Sequence, residues 1–146
     1  MNILSAGRRA EIESSFVKQG LMRTFKASIN QLEYGMLEIS MPYSDAVSQQ
    51  HLFFHGGAIG ALADTACGYA AISVIGEDEA ALTAEYKINL LAPADGDRLI
   101  AVGKIIKSGR TLIVCQGDVF VEKNGKRKLC AYMLMTMCVV KNLEHK

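Results

Sequence analysis

One carboxylate, Asp64, stands inside the most apolar segment of the chain, FFHGGAIGALADTACGYAAISVIG (Phe53–Gly76). It lies seven residues after Gly57, the second of two adjacent glycines. A carboxylate withdrawn from water without a partner is expensive, and such groups gather at functional sites. The residues three and four positions away are Gly60, Ala61, Cys67 and Gly68. On a helix all four are neighbours of Asp64, and all four are small, which leaves room for a ligand beside the acid. The bland alternative is that Asp64 bonds a nearby backbone group, but capping belongs to helix ends.

His55, Gly56 and Gly57 stand at the entrance of the same segment. Glycine permits close backbone approach, and first-turn N–H groups have no partner within the helix. They suit an anion or a carbonyl oxygen gaining negative charge, as in an oxyanion hole. A plain loop-to-helix turn is the alternative for these three residues alone. On one helix Gly57 and Asp64 are about 10 Å apart along the axis, and the Asp side chain leans back only part of that way. If both act on one carbonyl, they come from two chains, which implies a two-fold dimer with paired composite sites.

The elements that must position these groups follow from periodicity. Residues 9 to 26 carry a partial helical stripe, with Ile12, Phe16, Gln19, Gly20, Met22, Arg23 and Phe25, and predict an N-terminal helix. KASINQLEYGMLEISMP predicts a hairpin about Glu33–Gly35. A central helix is expected over 57–75, about five turns, apolar on nearly every side and therefore wrapped by other elements. A membrane span is the rival of adequate length; Asp64 at mid-bilayer argues against it. The period then changes to two: Ala84, Tyr86, Ile88 and Leu90 share one strand face, and Thr83, Glu85, Lys87 and Asn89 the other. Strands at 98–107, 111–122 and 128–140 follow, linked by SGR and by KNG, a strong hairpin signal. Antiparallel strands about one long helix predict an α+β fold.

The chain has 146 residues, which fits a single domain. A formal net charge of +1 excludes the strongly basic face of a non-specific nucleic-acid binder. No basic-plus-apolar leader opens the chain, and a cytoplasmic location is expected. Cys67, Cys115, Cys130 and Cys138 form no C-x-x-C pair and read as free thiols of a reducing compartment. They do not cluster at metal spacing with His51, His55 or His145. No serine stands in a G-x-S-x-G elbow.

HGGAIGALADTACGYAA, LTAEYKINLLAPADGD and SGRTL together resemble the hotdog-fold acyl-CoA thioesterases of the phenylacetate-degradation (PaaI) type, over about Phe16 to Val139. The resemblance implies a long helix wrapped by a five- or six-stranded antiparallel sheet, dimers that often pair into tetramers, and hydrolysis of acyl-CoA without metal or other cofactor. Asp64 matches the acid that serves as general base or nucleophile, and Gly57 the glycine whose N–H polarises the thioester carbonyl. His55 and Gly56 match the rest of that loop. Thr83 falls where some members carry a hydroxyl residue that helps hold the water. Either Gln49 or Gln50 matches an amide residue before the glycines. His55 either polarises the thioester or orders the glycine loop by hydrogen bonds. Phe53, Phe54, Gly68 and Tyr69 are candidate acyl-pocket residues, and Lys104, Lys107 and Arg110 candidate contacts to CoA phosphates. Two other activities fit the same residues. One is acyl-CoA binding without catalysis, for which no effector segment is evident. The other is a hotdog dehydratase or hydratase, which needs a histidine paired with an acid.

Overall fold

The computed structural model describes residues 2–141; His145 and the ends of the 1–146 domain assignment lie outside them. A six-stranded antiparallel sheet wraps one long helix. The elements are α1 (Ala6–Phe16), α2 (Gly20–Thr24), β1 (Ser28–Glu33), β2 (Met36–Pro42), a short 3-10 turn at Asp45–Val47, α3 (Gly56–Ile72), β3 (Glu79–Leu90), β4 (Arg98–Ser108), β5 (Leu112–Lys123) and β6 (Lys126–Lys141). The strand order is β1-β2-β4-β5-β6-β3. β3 therefore does not join its sequence neighbour β4; it crosses to the far edge and pairs with β6.

The N-terminal segment is two helices where the apolar stripe predicts one over 9–26. The break at Val17–Gln19 has a packing cause. Ile12 and Phe16 lie one turn apart on one face and are buried; Met22 is also buried. Six residues separate Phe16 from Met22, about 240° around a continuous helix, so one straight helix cannot bury both against the same core. α1 starts at Ser5, whose hydroxyl accepts from the Arg8 N–H at 3.1 Å. The Arg8 guanidinium is buried and donates to the Ile75 carbonyl at 2.7 Å, while Arg9 donates to the Leu32 carbonyl at 2.7 Å. These bonds and Ile12 fix α1 beside the end of α3.

α3 begins one residue before the expected start and ends three before the expected end. Ser73 stops it: its hydroxyl donates to the Ala70 carbonyl at 2.7 Å and accepts from the Gly35 N–H at 2.7 Å. The KNG turn closes β5 and β6 with Asn124 at φ 53° and Gly125 at φ 75°, the two positive angles of a tight hairpin turn.

β3 departs from simple alternation in a way that makes the site. The register jumps between Thr83 and Glu85, a β-bulge at Ala84. Thr83 pairs with Met137, Tyr86 with Met135 and Ile88 with Met133, all three methionines being buried. Cross-strand partners share a face. The extra residue thus moves Thr83 onto the face of Tyr86 and Ile88, toward α3, where unbroken alternation had placed it with Glu85. No helix of the described residues is long and apolar enough to cross a membrane.

Candidate active site

α3 is covered on most sides, with Leu62, Ala63, Ala66 and Cys67 fully buried. Asp64 is only partly buried, as are Ala61 and Gly68 on the same face, and Gly57 is exposed. The helix expected to be wrapped all round is open toward β3. Thr83 Oγ1 donates to Asp64 Oδ1 at 2.7 Å. The pair stands in a cleft of about 280 Å³ that also includes Gly68, Tyr69, Ser15 and Gln19. The carboxylate has a hydroxyl to orient it and open space beside it, the arrangement a general base or carboxylate nucleophile needs.

His55 is the N-cap of α3, and its Nδ1 accepts from the Gly57 N–H at 2.8 Å. The imidazole orders the glycine loop and holds the one N–H that the sequence assigns to a carbonyl. Gly56 lines a second cleft of about 400 Å³, together with Gln49, Phe53, Phe54 and Pro93. Gln49 is half-buried there, whereas Gln50 is exposed and lines neither cleft. The Gln49 carboxamide oxygen accepts from the His51 N–H. Phe54 is buried and packs edge-on against Tyr43 at 5.4 Å, so most of its ring serves the core. Within one chain the structure thus brings together Asp64, Thr83, Gly68 and Tyr69 in one cleft. It groups Gln49, Phe53, Phe54 and Gly56 in the other.

The basic candidates join neither group. Lys107 and Arg110 are exposed at the β4–β5 turn. Lys104 lies on the outer sheet face, in a shallow depression with Val102 and Phe120. Cys67, three residues after Asp64, is no nucleophile. Burial, then Cys115 and Asp64, pushes its thiol far above the ordinary range, so it stays protonated.

Sequence reasoning missed Ser15, Gln19 and the role of Tyr86. Gln19 Nε2 donates to the Tyr69 hydroxyl at 3.1 Å, and Ser15 Oγ shares a hydrogen bond with it at 2.9 Å. Gln19, a polar residue inside the apolar stripe over 9–26, was the available signal. Tyr86 brings its hydroxyl to 3.5 Å from where a Gly60 Cβ would stand, so Gly60 makes room for a phenol one turn from Asp64.

A hydroxyl-oriented carboxylate in the middle of a helix that one sheet wraps, with two glycines at that helix's entrance, is the arrangement of the hotdog resemblance, and the comparisons with known proteins agree on the family. Residues 52–128 match the thioesterase superfamily, and the chain belongs to that family. A thioesterase family protein from Silicibacter pomeroyi is 38% identical, with a TM-score of 0.90 over 92% of this chain and 99% of that one. A thioesterase enzyme of Staphylococcus aureus is 30% identical, with a TM-score of 0.77 over 83% of this chain and 98% of that one. The PaaI protein of the Escherichia coli phenylacetic acid degradation operon, 21% identical, shares the fold with a TM-score of 0.84 over 95% and 97%. The chain has the hotdog fold of the PaaI type and is a hydrolase of the thioesterase class.

Proposed function

We propose that the protein hydrolyses an acyl-CoA to free acid and CoA, with Asp64 and Gly57 contributed to each site by different chains of a homodimer. The observation that carries this is the Asp64–Thr83 pair at 2.7 Å, facing an open cleft on a member of the thioesterase superfamily. As general base, Asp64 takes a proton from water as its oxygen attacks the carbonyl carbon. The C–S bond then breaks and the proton passes to the departing thiolate. As nucleophile, Asp64 attacks the carbonyl carbon, the C–S bond breaks to release the CoA thiolate, and water cleaves the resulting anhydride to the free acid and the Asp64 carboxylate, its surplus proton going to the thiolate. Thr83 holds the carboxylate in either route.

The oxyanion takes its hydrogen bond from the Gly57 N–H in competition with His55 Nδ1, which occupies that donor in the resting chain. Gly56, Phe53 and Phe54 shape the approach. Two observations support a shared site. Gly57 and Asp64 are seven residues apart on α3, about 10 Å of helical rise. β3 is an edge strand that exposes Tyr86 and Leu90 on one face at 44 and 56%, a surface that a second β3 would cover. A further pairing of dimers is part of the same proposal. Lys107 and Arg110, exposed at the β4–β5 turn, are the proposed contacts for CoA phosphates. The four free thiols suit a reducing cytoplasm.

The amide residue in the site is Gln49 on this proposal. Two structures of the S. aureus protein carry alanine in place of a glutamine and of a glutamate fifteen positions apart. Gln49 and Asp64 have that spacing; Gln50 does not.

The test is release of free CoA from a panel of acyl-CoAs, followed with a thiol reagent at neutral to mildly basic pH without added metal. Turnover of at least one aromatic or medium-chain member is expected. No release from a broad panel overturns the proposal.

A further inference from the structure

Tyr86 carries a hydroxyl that the single chain leaves unused. Gly57, Gly60, Ala61 and Asp64 lie on one stripe of α3. Tyr86 points into this stripe from the edge strand β3, its hydroxyl 3.5 Å from where a Gly60 Cβ would stand. Among the described residues the β3 side chains that hydrogen-bond are Glu79, Thr83 and Glu85. The Tyr86 hydroxyl has no such partner, and the residue is 44% exposed.

If Gly57 of one chain and Asp64 of the other share a site, two-fold symmetry makes the same pair twice. The two α3 helices then run antiparallel, and the axis crosses α3 halfway between those positions, at Gly60–Ala61. That is where the Tyr86 hydroxyl stands. The charges of β3 point independently to the same place. Antiparallel partners share a face, so two copies of β3 pair about a residue and not between two residues. Past the bulge the strand is regular, with Glu85, Tyr86 and Lys87 paired to Thr136, Met135 and Leu134. Glu85 and Lys87 are exposed on the face away from α3, and Glu85 Oε1 accepts from Thr136 Oγ1 at 2.6 Å. Pairing about Glu85 sets two carboxylates opposite each other, and pairing about Lys87 sets two ammonium groups opposite each other. Like charges so placed destabilise a pair of strands, and unlike charges stabilise it. Pairing about Tyr86 sets each Glu85 opposite the partner's Lys87.

We propose that β3 pairs with the β3 of a second copy about Tyr86, and that Tyr86 is a positioning residue of the shared site. This rests on the composite site proposed above and deepens it. Both phenols enter the gap between the two helices at the axis, where Gly60 and Ala61 leave room for them. A phenol hydroxyl both donates and accepts, so each finds in the other the partner it lacks within one chain. The two rings set the spacing of the helices, and with it the distance from Gly57 to the partner's Asp64. Tyr86 touches no reacting atom and acts through the two groups that do.

Cysteine cross-linking reads the pairing without turnover. It is done in a Cys138→Ser background, since the other three thiols are buried. Directly opposed Cβ atoms lie about 4.5–5.5 Å apart and diagonal ones about 7–8 Å, while a disulfide spans about 4 Å between Cβ atoms. Tyr86→Cys is therefore expected to link to itself under mild oxidation. Glu85→Cys and Lys87→Cys are each expected to stay unlinked alone and to link when the two are mixed. Self-linking of Glu85→Cys or Lys87→Cys, or no link from any of the three, overturns the proposed pairing. For the positioning role, Tyr86→Ala is expected to lower kcat about 100-fold, the cost of misplacing reacting groups by about an ångström, while sedimentation still shows a dimer. Tyr86→Phe keeps the ring and is expected to keep kcat near that of the wild type, a rescue that a merely structural role does not require of the assembled dimer. Unchanged kcat in Tyr86→Ala overturns the positioning role. If the pairing fails while inactive Asp64→Asn and Gly57→Val chains restore activity on mixing, the shared site stands and this inference falls. Failure of both removes both.

Discussion

The two faces of α3 use the same small residues for opposite ends. On the face packed against the sheet, Ala66 and Cys67 meet Gly103 of β4 so closely that a Cβ on that glycine would stand 2.4 Å from the Ala66 carbonyl carbon and 2.5 Å from the Cys67 nitrogen. On the face toward β3, a Cβ at Gly68 would meet its nearest neighbour, Met137 Cε, at 3.8 Å, an ordinary contact. Small residues bring backbone onto backbone on the first face. They leave space on the second, and that space holds Asp64. Composition alone does not distinguish the two uses; what lies opposite each residue does.

The largest effect expected belongs to the open face. Asp64→Asn keeps the size of the side chain and a group for Thr83 to bond, and removes the base. Loss of a general base costs on the order of 100- to 10,000-fold, so kcat should fall by that factor with the melting temperature little changed. A near-normal kcat would remove Asp64 from the chemistry. The same variant tests whether the open face is completed by a second chain. In Gly57→Val the new Cβ meets His55 Nδ1 at 3.0 Å and Cε1 at 3.2 Å, which disturbs the donor loop and leaves the acid alone. Refolded together, the two inactive variants should recover roughly a quarter of wild-type activity. About half of randomly paired dimers are mixed, and each carries one intact site of two. If chains exchange and activity stays at the parental level, both groups act within one chain.

The packed face should answer in stability. Gly103→Ala drives a methyl group into backbone that cannot step aside. Overpacking of this kind costs about 1–3 kcal/mol or more, and a drop of several degrees in melting temperature is expected at roughly 2–4 °C per kcal/mol. Gly68→Ala has the opposite sign. It meets only ordinary contacts, and alanine exceeds glycine in a helix interior by up to about 1 kcal/mol. Thermal unfolding of both variants checks the pair; equal destabilisation would mean that the two faces are packed alike.

The helix-plus-sheet architecture was legible because its signals are local. The 57–75 run is apolar, Asn124–Gly125 names its turn, and β2 alternates cleanly. Asp64 and the glycines were legible because a charge among small apolar residues has few structural uses. Two features of the site were not. The bulge at Ala84 inserts one residue without any glycine to mark it, yet it decides that Thr83 faces Asp64. Ser15 sits near the end of α1 and Gln19 at the break before α2; their register against α3 depends on where the helix breaks, and that break is set by burying Phe16 and Met22 together. Both are consequences of tertiary packing that a period along the chain does not record. The openness of α3 toward β3 belongs with them, since the run itself is apolar on nearly every side.

The smallest effect concerns cysteine chemistry on the two sides. Cys67 and Cys115 lie on the packed face and are fully buried. Burial pushes the Cys115 thiol up to about 11 and the Cys67 thiol further. Cys130, also buried, is likewise raised to about 11. Only the thiolate reacts with an alkylating reagent. At pH 8 a group with a pKa near 11 is ionised to roughly one part in a thousand, and the reagent must also reach it. Cys138 on β6 is half-buried. Iodoacetamide at pH 8 should therefore label Cys138 first, with the other three silent until the chain unfolds; peptide mass spectrometry reads the sites. Raising the pH toward 11 increases the thiolate of Cys115 and Cys130 but not the access, so the gain in labelling should be smaller than the gain in ionisation. Gly103→Ala, which strains the contact over Cys67, should speed labelling of Cys67 and Cys115 relative to Cys138 at constant pH. Early labelling of Cys67 in the wild-type protein would show that the packed face opens as readily as the face that carries Asp64.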